Sequence, residues 1–361
     1  MEKISVGLIG ATGVVGQNYI RLLDNHPWFS LEYVAASSRS CGKTYEEAVR
    51  ERWHMNSPIP GDTAKLIVED ACIPEKAKGR CRFIFSAVKL RKQETVDLEN
   101  RYAELDIPVV SNNSAHRSTG DVPVLISEVN HDHLDIIETQ QKKRGWKKGF
   151  IVVKPNCSVQ SYIIPVYALK KAGFKVKRLM VTTLQAVSGA GYPGVPSIDI
   201  IGNVYPLPGE EDKSETEPLK ILGSINSGII EPDSTLRISA HCNRVSVIHG
   251  HTACISIGFG KNKPDHGDIV DIWRGFRSVP QELMLPSAPE WPIIYRPEPD
   301  RPQPCKDRDA GKGMAVITGR LKECNILDFK FTGLSHNVVR GAAGGGILNA
   351  ELLAARGLFN F

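Results

Sequence analysis

The chain opens with a hydrophobic run that leads into a glycine-rich turn. Residues 4–9 are mostly apolar, residues 10–16 contain three glycines, and an amphipathic run through Tyr19 and Leu23 follows. A short apolar run predicts a buried strand, and apolar positions spaced three or four residues apart predict a helix. The sequence therefore predicts a strand, a tight turn and a helix at the start of the chain.

The same alternation continues to about residue 150. We predict a helix over 93–105 and further strands at 31–36, 65–68, 82–85, 107–110 and 122–126. Strands that alternate with helices are typical of a doubly wound parallel sheet. The first part of the chain is therefore expected to have an α/β fold of the Rossmann type.

After residue 150 the runs become longer. We predict helices over 158–171 and 337–356, and long strands at 176–187, 245–259, 314–320 and 326–334. Long strands favour an antiparallel or mixed sheet, so the second part is expected to be α+β. The segment 189–233 is rich in Gly, Pro, Glu and Ser, which predicts an extended excursion over the surface, long enough for oligomer contacts.

The composition excludes several classes of protein. The net charge is only +5, and no stretch approaches the roughly twenty apolar residues of a membrane helix. The basic cluster 142–148 lies between two predicted elements, which is typical of a solvated loop, so no nucleic-acid partner and no membrane association are expected. The chain enters a strand pattern directly after Met1 without a signal peptide, which predicts a cytoplasmic protein.

The cysteines indicate neither a metal site nor a disulfide framework. All eight are scattered along the chain without CxxC pairs. Metal ligands and structural disulfides usually show characteristic spacings. We therefore expect no metal and predict reduced thiols, as in the cytosol.

The glycine turn is the first candidate site. A turn with three glycines between a strand and a helix binds the pyrophosphate of a dinucleotide at the helix N-terminus. Its residues are Gly10, Ala11, Thr12, Gly13, Val14, Val15 and Gly16. The second predicted strand ends in Ser37, Ser38, Arg39 and Ser40, where NAD enzymes place an acidic residue. Hydroxyl groups with an arginine suit a 2′-phosphate, so the predicted cofactor is NADP.

Cys157 is the candidate nucleophile. It stands where the apolar run 150–153 ends and an amphipathic run begins. A thiol in the first turn of a helix faces unpaired backbone N–H groups, which lower its pKa and favour the reactive thiolate. A free cysteine is more often a small buried hydrophobic residue, so Cys157 is a candidate nucleophile only in combination with other features of the chain.

A cysteine nucleophile beside a nicotinamide suggests aldehyde and thioester chemistry, which needs an acid or base. His251 is the candidate, with His249 as a rival of the same strand parity. Arg244 lies seven residues before His251, so strict alternation places the two side chains on opposite faces. A bend at Gly250 would bring them together.

Seven motifs, in this order, resemble those of aspartate-semialdehyde dehydrogenases. They are GATGVVG at 10–16, SSRS at 37–40, SNNSAHR at 111–117, PNCSVQ at 155–160, QAVSGAGYPG at 185–194, RVSVIHGHT at 244–252 and HNVVRGAAGG at 336–345. The resemblance covers nearly the whole chain and is greatest to the archaeal and fungal branch. It implies a Rossmann-type domain at 1–150, completed by 337–361, and a catalytic and dimerisation domain with a mixed sheet at 151–336.

The resemblance also implies the roles of individual residues. The implied catalytic residues are Cys157 as nucleophile, His251 as acid and base, and Gln160, or Asn156, as the amide near the reacting carbonyl. The implied substrate ligands are Arg244 for a carboxylate, Glu217 for an ammonium group, and Lys220, Arg117 and Asn113 for a phosphate. Gln185, Ser188, Gly189 and Asn337 join the cofactor site. The charges of these residues complement those of aspartyl phosphate.

The activity implied by the resemblance is the NADP-dependent reductive dephosphorylation of L-aspartyl-4-phosphate, in the biosynthesis of lysine, threonine, methionine and isoleucine. Malonyl-CoA reductase and N-acetylglutamyl-phosphate reductase share the thiol chemistry and are alternatives, and a non-catalytic NADP-binding scaffold is a second one. We expect a homodimer or homotetramer.

Two details stay open at the level of sequence. The acidic run 210–217 allows Glu215 in place of Glu217 as the ligand of the ammonium group, and Lys220 depends on the same alignment. The basic segment 89–92 is either an exposed helix start or an extra phosphate contact, and we favour exposure.

Overall fold

Six strands form a parallel sheet in the first part of the chain, as predicted. The computed structural model describes residues 2–360. The strands are β1 (Ile4–Ile9), β2 (Phe29–Ala36), β3 (Val68–Asp70), β4 (Phe83–Ser86), β5 (Val109–Ser111) and β6 (Ile151–Val153). Their order, β3-β2-β1-β4-β5-β6, reverses direction between β1 and β4. Open parallel sheets bind their ligands at such a switch point.

Helices connect these strands. They are α1 (Val14–Leu23), α2 (Tyr45–Val49), α3 (Gly61–Ala64), α4 (Lys92–Glu104) and α5 (Ile137–Arg144), with 3₁₀ turns at Pro74–Ala77 and His131–Ile136. The helix predicted over 93–105 is confirmed as α4. The basic residues before it are exposed, as favoured above. The strand predicted at 122–126 is wrong, because Pro123 has no N–H to extend a ladder and only Val124 bridges to Val153.

A seven-stranded mixed sheet forms the second part, which confirms the mixed sheet predicted for an α+β domain. Its order is β13-β14-β15-β12-β7-β11-β8. The strands of this part are β7 (Val176–Ala186), β8 (Tyr205–Pro206), β9 (Ser224–Asn226), β10 (Ile229–Glu231), β11 (Arg237–Val245), β12 (His251–Phe259), β13 (Ile293–Arg296), β14 (Val316–Glu323) and β15 (Phe329–Ser335). β9 and β10 form a separate hairpin.

The helices of the second part differ in length. They are α6 (Ile163–Lys171), α7 (Ser197–Ile200), α8 (Glu210–Ile221), α9 (His266–Gly275), α10 (Val279–Glu282), α11 (Pro304–Asp307) and α12 (Gly344–Ala355). 3₁₀ turns lie at Val159–Ser161, Val187–Ala190 and Ala310–Gly313, and a π-helical turn at Val339–Ala343 precedes α12.

The strand predicted over 245–259 begins only at His251 as β12, and β11 (Arg237–Val245), which ends where the prediction began, was not predicted. β11 runs parallel to β7 and β12 runs antiparallel to it, and a turn at 246–250 separates them. Gly250 has a φ of +103°, which disfavours any residue with a side chain. Because both strands flank β7, the end of β11 and the start of β12 meet beside Ala186.

The segment 189–233 is not simply a surface excursion. It contains α8, which buries Ser214, Glu217, Pro218, Lys220 and Ile221. These positions follow helical spacing, but several are charged, so hydrophobicity alone did not reveal the helix.

The last helix belongs to the core of the first sheet. Ile347 and Leu348 of α12 pack in the same buried cluster as Val6 and Phe85. α6 and α9 contact each other and pack in the cluster under the second sheet, whereas Met180 on the sheet is 51% exposed. Within residues 2–360, no helix is long and apolar enough to cross a membrane.

Candidate active site

Cys157 lies in the loop between the first sheet and α6. The 3₁₀ turn Val159–Ser161 follows it, and α6 begins only at Ile163. The helix predicted from residue 158 therefore starts later than expected. Since the effect of a helix dipole is confined to its first turn, α6 does not lower the pKa of Cys157.

His251 contacts the thiol directly. Its Nε2 is 3.2 Å from Sγ of Cys157. Its Nδ1 accepts a hydrogen bond from the backbone N–H of Ala186, with 2.9 Å between the nitrogens. Because Nδ1 acts as an acceptor, the hydrogen-bond pattern assigns the proton of the neutral ring to Nε2. His251 is therefore placed to donate a hydrogen bond to the sulfur.

The rival histidine is placed elsewhere. Nδ1 of His249 lies 2.9 Å from Oγ of Ser188, and the residue belongs to the turn between β11 and β12. Strand parity does not apply in a turn, so the equivalence of His249 and His251 suggested by the sequence disappears.

Burial dominates the electrostatics of this pair. It raises the pKa of the Cys157 thiol, with a further contribution from Glu210, and Lys154, Arg117 and Arg244 oppose the rise. This result contradicts the lowered pKa expected from a helix N-terminus. Burial also lowers the pKa of His251 to about 3, so the imidazole is neutral near pH 7.

Arg244 reaches the same place from the end of β11. Its Nη1 donates to the carbonyl oxygen of Ala186 at 2.9 Å, and its Nε is buried without a hydrogen-bond partner in the described part of the chain. A Cβ atom on Gly189 would lie 2.7 Å from Arg244 Nη1 and 2.9 Å from His251 Cε1. The bend at Gly250 thus brings Arg244 and His251 together. The guanidinium keeps donors for an anionic ligand.

A second group of charges lies between α8 and the loop after β5. Arg117 donates from Nη1 to Glu217 at 2.9 Å and from Nε to the carbonyl oxygen of Lys154 at 2.9 Å. The second oxygen of Glu217 accepts the backbone N–H of Asn156 at 2.6 Å. Lys220 donates to the carbonyl oxygens of Arg117 and Thr119 at 3.0 and 2.6 Å. Burial lowers the pKa of Lys220 to about 8.

Glu215 faces away from this group. Its carboxylate accepts the backbone N–H of Ala240 on β11 at 2.9 Å. Of the two acids left open by the sequence, only Glu217 contacts the loop that carries Cys157.

The three candidate amides are engaged within the protein. Nδ2 of Asn113 donates to Ser86 and Glu99, Oδ1 of Asn156 accepts from Ser158, and Oε1 of Gln160 accepts from Nε of Arg340 at 3.1 Å. Arg340 in turn forms a bidentate ion pair with Glu128, at 2.6 Å for both bonds. The substrate contacts expected of Asn113, Asn156 and Gln160 stay predictions.

Sequence reasoning missed two charged residues beside Cys157. Oε2 of Glu210 accepts from Asn156 at 2.9 Å and is 3.4 Å from Nε2 of Gln185. Burial opposes its ionisation, but bonds from Lys213 and these amides lower its pKa. Lys154 is the other, and it is buried three residues before the thiol. Glu210 was hidden in an acidic run, and Lys154 carried no signal beyond its closeness in sequence.

The glycine turn fits a dinucleotide. Gly10 has a φ of +79°, and a Cβ on Gly16 would lie 2.4 Å from the carbonyl oxygen of Gly10. These positions require glycine for the turn and for close packing. Ser37, Ser38 and Arg39 are exposed beyond the end of β2, open to a phosphate group, whereas Ser40 is buried.

Three segments meet at the nicotinamide side of the predicted cofactor site. Nδ2 of Asn337 donates to Oγ of Ser188 at 2.9 Å, and its Oδ1 accepts the backbone N–H of Gly250 at 2.9 Å. Gln185 is buried beside Thr183 and Glu210. A cleft of about 1050 Å³ extends from Ser188 along α1 past Val14. The structure thus places Ser188, Gly189 and Asn337 next to the Cys157–His251 pair.

Two family models match most of the chain. One describes the NAD binding domain of semialdehyde dehydrogenases and matches residues 5–137; the other describes their dimerisation domain and matches residues 166–340. The chain is 45% identical to aspartate-semialdehyde dehydrogenase of Archaeoglobus fulgidus, over 97% of this chain and 98% of the relative. It is 41% identical to that of Cryptococcus neoformans, over 99% and 98%.

Solved structures agree with this similarity. Aspartate-semialdehyde dehydrogenase of Candida albicans, solved with NADP, matches with a TM-score of 0.89 and 38% identity, over 99% of this chain and 100% of that one. Aspartate-semialdehyde dehydrogenase II of Vibrio cholerae matches with a TM-score of 0.74 at 22% identity, over 98% and 99%, which shows a shared fold.

Proposed function

The chain belongs to the aspartate-semialdehyde dehydrogenase family, and from this premise we propose that it reduces L-aspartyl-4-phosphate to L-aspartate 4-semialdehyde with NADPH and releases phosphate. The observation that carries the proposal is the 3.2 Å contact between Sγ of Cys157 and Nε2 of His251. The charges of Arg117 and Arg244 act on this thiol, and Lys220 binds the backbone of Arg117. A thiol beside a hydrogen-bond donor and several cations is suited to an acyl donor with two anionic groups.

The proposed reaction begins when the thiolate of Cys157 attacks the acyl carbon of aspartyl phosphate. The C–O bond to phosphate breaks, phosphate leaves with the electron pair, and a thioester remains on Cys157. When bound, NADPH supplies the hydride that reduces this thioester. The tetrahedral adduct then expels the thiolate, which regenerates Cys157 and frees the aldehyde.

His251 has a defined place in these steps. Its Nε2–H donates first to the sulfur, and we propose that the oxygen that becomes negatively charged on the neighbouring carbon then accepts from the same donor. Acceptance of a proton at Nε2 would require the other tautomer and would break the bond from Ala186. We therefore propose that His251 acts as a neutral hydrogen-bond donor, first to the sulfur and then to the oxyanion, and keeps its proton.

We propose that different charged residues bind the different charged groups of the substrate. We propose that Arg244 binds the α-carboxylate, because its guanidinium still has an unpaired buried Nε. Glu217 is proposed for the ammonium group, and Lys220, Arg117 and Asn113 for the phosphate. Arg117 and Glu217 are ion-paired at 2.9 Å, so substrate would replace that contact with one to each partner.

NADP is the cofactor of the proposed reaction. The glycine turn 10–16 and Ser37, Ser38, Arg39 and Ser40 are proposed to hold its phosphates, and Gln185, Ser188, Gly189 and Asn337 to border its nicotinamide. The relative from Candida albicans was solved with NADP, which supports this choice.

Two assays run in parallel test the proposed function. NADPH formation is followed with L-aspartate semialdehyde, NADP and phosphate, and NADPH oxidation is followed with malonyl-CoA. Turnover that depends on phosphate is the expected result. Activity with malonyl-CoA alone would contradict the proposed substrate but leave the roles of Cys157 and His251 unchanged. Full activity of Cys157→Ser would contradict the proposed role of the thiol as nucleophile.

We also propose the organisation of the chain in the cell. The match to a dimerisation domain supports an oligomer, and we propose a homodimer or a homotetramer assembled through the open face of the second sheet. The division into 1–150 with 337–361, and 151–336, is our proposal as well. All eight cysteines are free, which fits a cytoplasmic location. Light scattering coupled to size-exclusion chromatography measures the subunit number.

A further inference from the structure

Lys154 is a buried amine without an anionic hydrogen-bond partner. Its side chain is 1% exposed, and its Nζ makes one long hydrogen bond, 3.4 Å, to the carbonyl oxygen of Pro155. In the described residues 2–360, no carboxylate lies within 4.0 Å of this nitrogen. Burial of an unpaired ammonium group is costly, so Lys154 has to find a negative charge or lose its proton.

The side chains of Lys154 and Cys157 pack on the same short segment. A Cβ on Gly341 would lie 2.8 Å from Cβ of Cys157, and a Cβ on Gly345 would lie 3.4 Å from Cδ of Lys154. The two glycines are four residues apart, Gly341 in the π-helical turn and Gly345 at the start of α12. The absence of side chains at both positions lets the nucleophile loop approach this segment, so that Lys154 and Cys157, three residues apart, both pack on it.

The thiolate needs a positive partner that His251 does not provide. His251 accepts the N–H of Ala186 at Nδ1, so its ring is neutral and offers only the Nε2–H donor. Arg117 is ion-paired with Glu217 at 2.9 Å. Arg340, whose charge acts on Lys154, is paired with Glu128.

The remaining charges near the thiol have other roles. Arg244 donates to Ala186 and is proposed for the substrate carboxylate. Glu210 disfavours the thiolate, and Lys154 and the arginines favour it. Burial lowers the pKa of Lys154 to about 7, and Cys157 is the largest influence in the opposite direction, ahead of Glu217. The charge of each group therefore favours the charged form of the other, whereas burial disfavours both.

We propose that Lys154 supplies the positive charge that balances the thiolate of Cys157, so that the reactive form is a buried ammonium–thiolate pair with a neutral His251. The proposal rests on the proposed function in that Cys157 is the nucleophile. Lys154 is a positioning residue, because it acts on substrate only through the sulfur.

The first experiment measures the ionisation of the thiol. Alkylation of Cys157 by iodoacetamide is followed against pH, with mass spectrometry of its peptide, in wild type, Lys154→Met and Lys154→Arg. Met has a side chain of similar length without charge, and Arg keeps the charge. We expect Lys154→Met to move the midpoint up by about one pH unit or more, and to slow alkylation about tenfold at neutral pH. Lys154→Arg should restore most of the rate.

Lys170→Met is the matched control. Lys170 pairs with Asp233, so the variant also removes one cation from an ion pair. Its alkylation profile should superimpose on that of the wild type. A Lys154→Met profile that also superimposes would overturn the proposal.

A reciprocal measurement does not depend on the folding of Lys154 variants. The titration of Lys154 is followed by NMR of ¹³Cε-labelled lysine in wild type and in Cys157→Ser, where the thiolate is absent. The pKa of Lys154 should fall in the variant, and an unchanged pKa would refute the pairing. Neither experiment uses aspartyl phosphate or NADPH, so a wrong substrate in the proposed function leaves the result for Lys154 intact.

Discussion

The backbone N–H of Ala186 donates a hydrogen bond to Nδ1 of His251, with 2.9 Å between the nitrogens. The carbonyl oxygen of the same residue accepts from Nη1 of Arg244, also at 2.9 Å. One residue at the end of β7 therefore fixes the tautomer of His251 and the direction of Arg244, which is proposed to bind the substrate carboxylate.

Replacement of His251 tests the hydrogen bond to the sulfur. The amide nitrogen of glutamine reaches the position of Nε2, and that of asparagine reaches the position of Nδ1. Both variants should lower kcat/KM by about 10²–10⁴-fold. His251→Gln should retain more activity than His251→Asn, because it keeps a donor near Cys157. Steady-state kinetics with L-aspartate semialdehyde checks this, and a better His251→Asn would contradict the assigned tautomer.

Glu217 and Glu215 form a matched pair on α8. Glu217→Gln removes the charge proposed for the substrate ammonium group, so kcat/KM for aspartate semialdehyde should fall by about 10- to 100-fold. Glu215→Gln should stay within about twofold, because that residue only accepts the N–H of Ala240. KM for NADP should change in neither variant. Equal losses in both would remove Glu217 from the substrate site.

Gly189 leaves room for Arg244 and His251. Gly189→Ala places a Cβ less than 3 Å from both side chains, so one of them has to move. We expect kcat/KM to fall by at least about tenfold while thermal unfolding stays cooperative, since a misplacement near the chemistry is costly. Gly275→Ala is the control, because a Cβ there meets no atom within 4 Å. Wild-type kinetics for Gly189→Ala would show that the site can adjust.

Arg39 should determine the preference for NADP over NAD. It is exposed beyond β2 and is proposed to contact the 2′-phosphate. Arg39→Ala should raise KM for NADPH by about tenfold and leave KM for NADH nearly unchanged, because a charged hydrogen bond contributes about 1.5–3 kcal/mol. Arg91→Ala, an exposed arginine before α4, is the control. Equal changes for both cofactors would argue against a 2′-phosphate contact.

Buried histidines should make the protein less stable in mild acid. Burial lowers the pKa of His251 to about 3 and those of His116 and His336 to about 4. The unfolded chain binds a proton at each near pH 6.5, whereas the folded chain does not. The contribution of these histidines to the free energy of unfolding should thus be fully present above that pH. Toward pH 4 it should fall by about 1.4 kcal/mol per pH unit for each histidine.

Guanidinium unfolding at about pH 7.5 and pH 5.5 measures this dependence. His116→Gln removes one of the histidines with a lowered pKa and should make this loss smaller than in the wild type. A free energy of unfolding that is the same at both pH values would show that these histidines are protonated in the folded protein.

The sequence predicted the helices, strands and turns that residues within a few positions of one another determine. The first strand, the glycine turn and α1 were predicted because their periodicity and turn residues act within a few positions. Helix α4 was predicted for the same reason. The strand at 122–126 was wrong because burial, rather than a ladder, explains its apolar residues, and Pro123 prevents pairing.

The candidate site was predicted as a set of residues rather than as a geometry. Cys157 and His251 were both named from the sequence, and the structure brings them to 3.2 Å. The pKa of Cys157 was expected to be low, but the helix begins six residues later and burial raises it. Glu210 and Lys154 were missed because charged residues with helical or loop spacing carry no hydrophobic pattern.

The sequence by itself determined the type of chemistry: a dinucleotide turn, a thiol, an imidazole and cations for an anionic substrate. These features depend on residue types and on short spacings along the chain, and both can be read from the sequence. The tertiary structure alone decided which acid of α8 enters the site, which histidine meets the thiol and which tautomer it adopts. These depend on burial and on contacts across up to about a hundred residues, as between Arg117 and Glu217, and local patterns do not encode them.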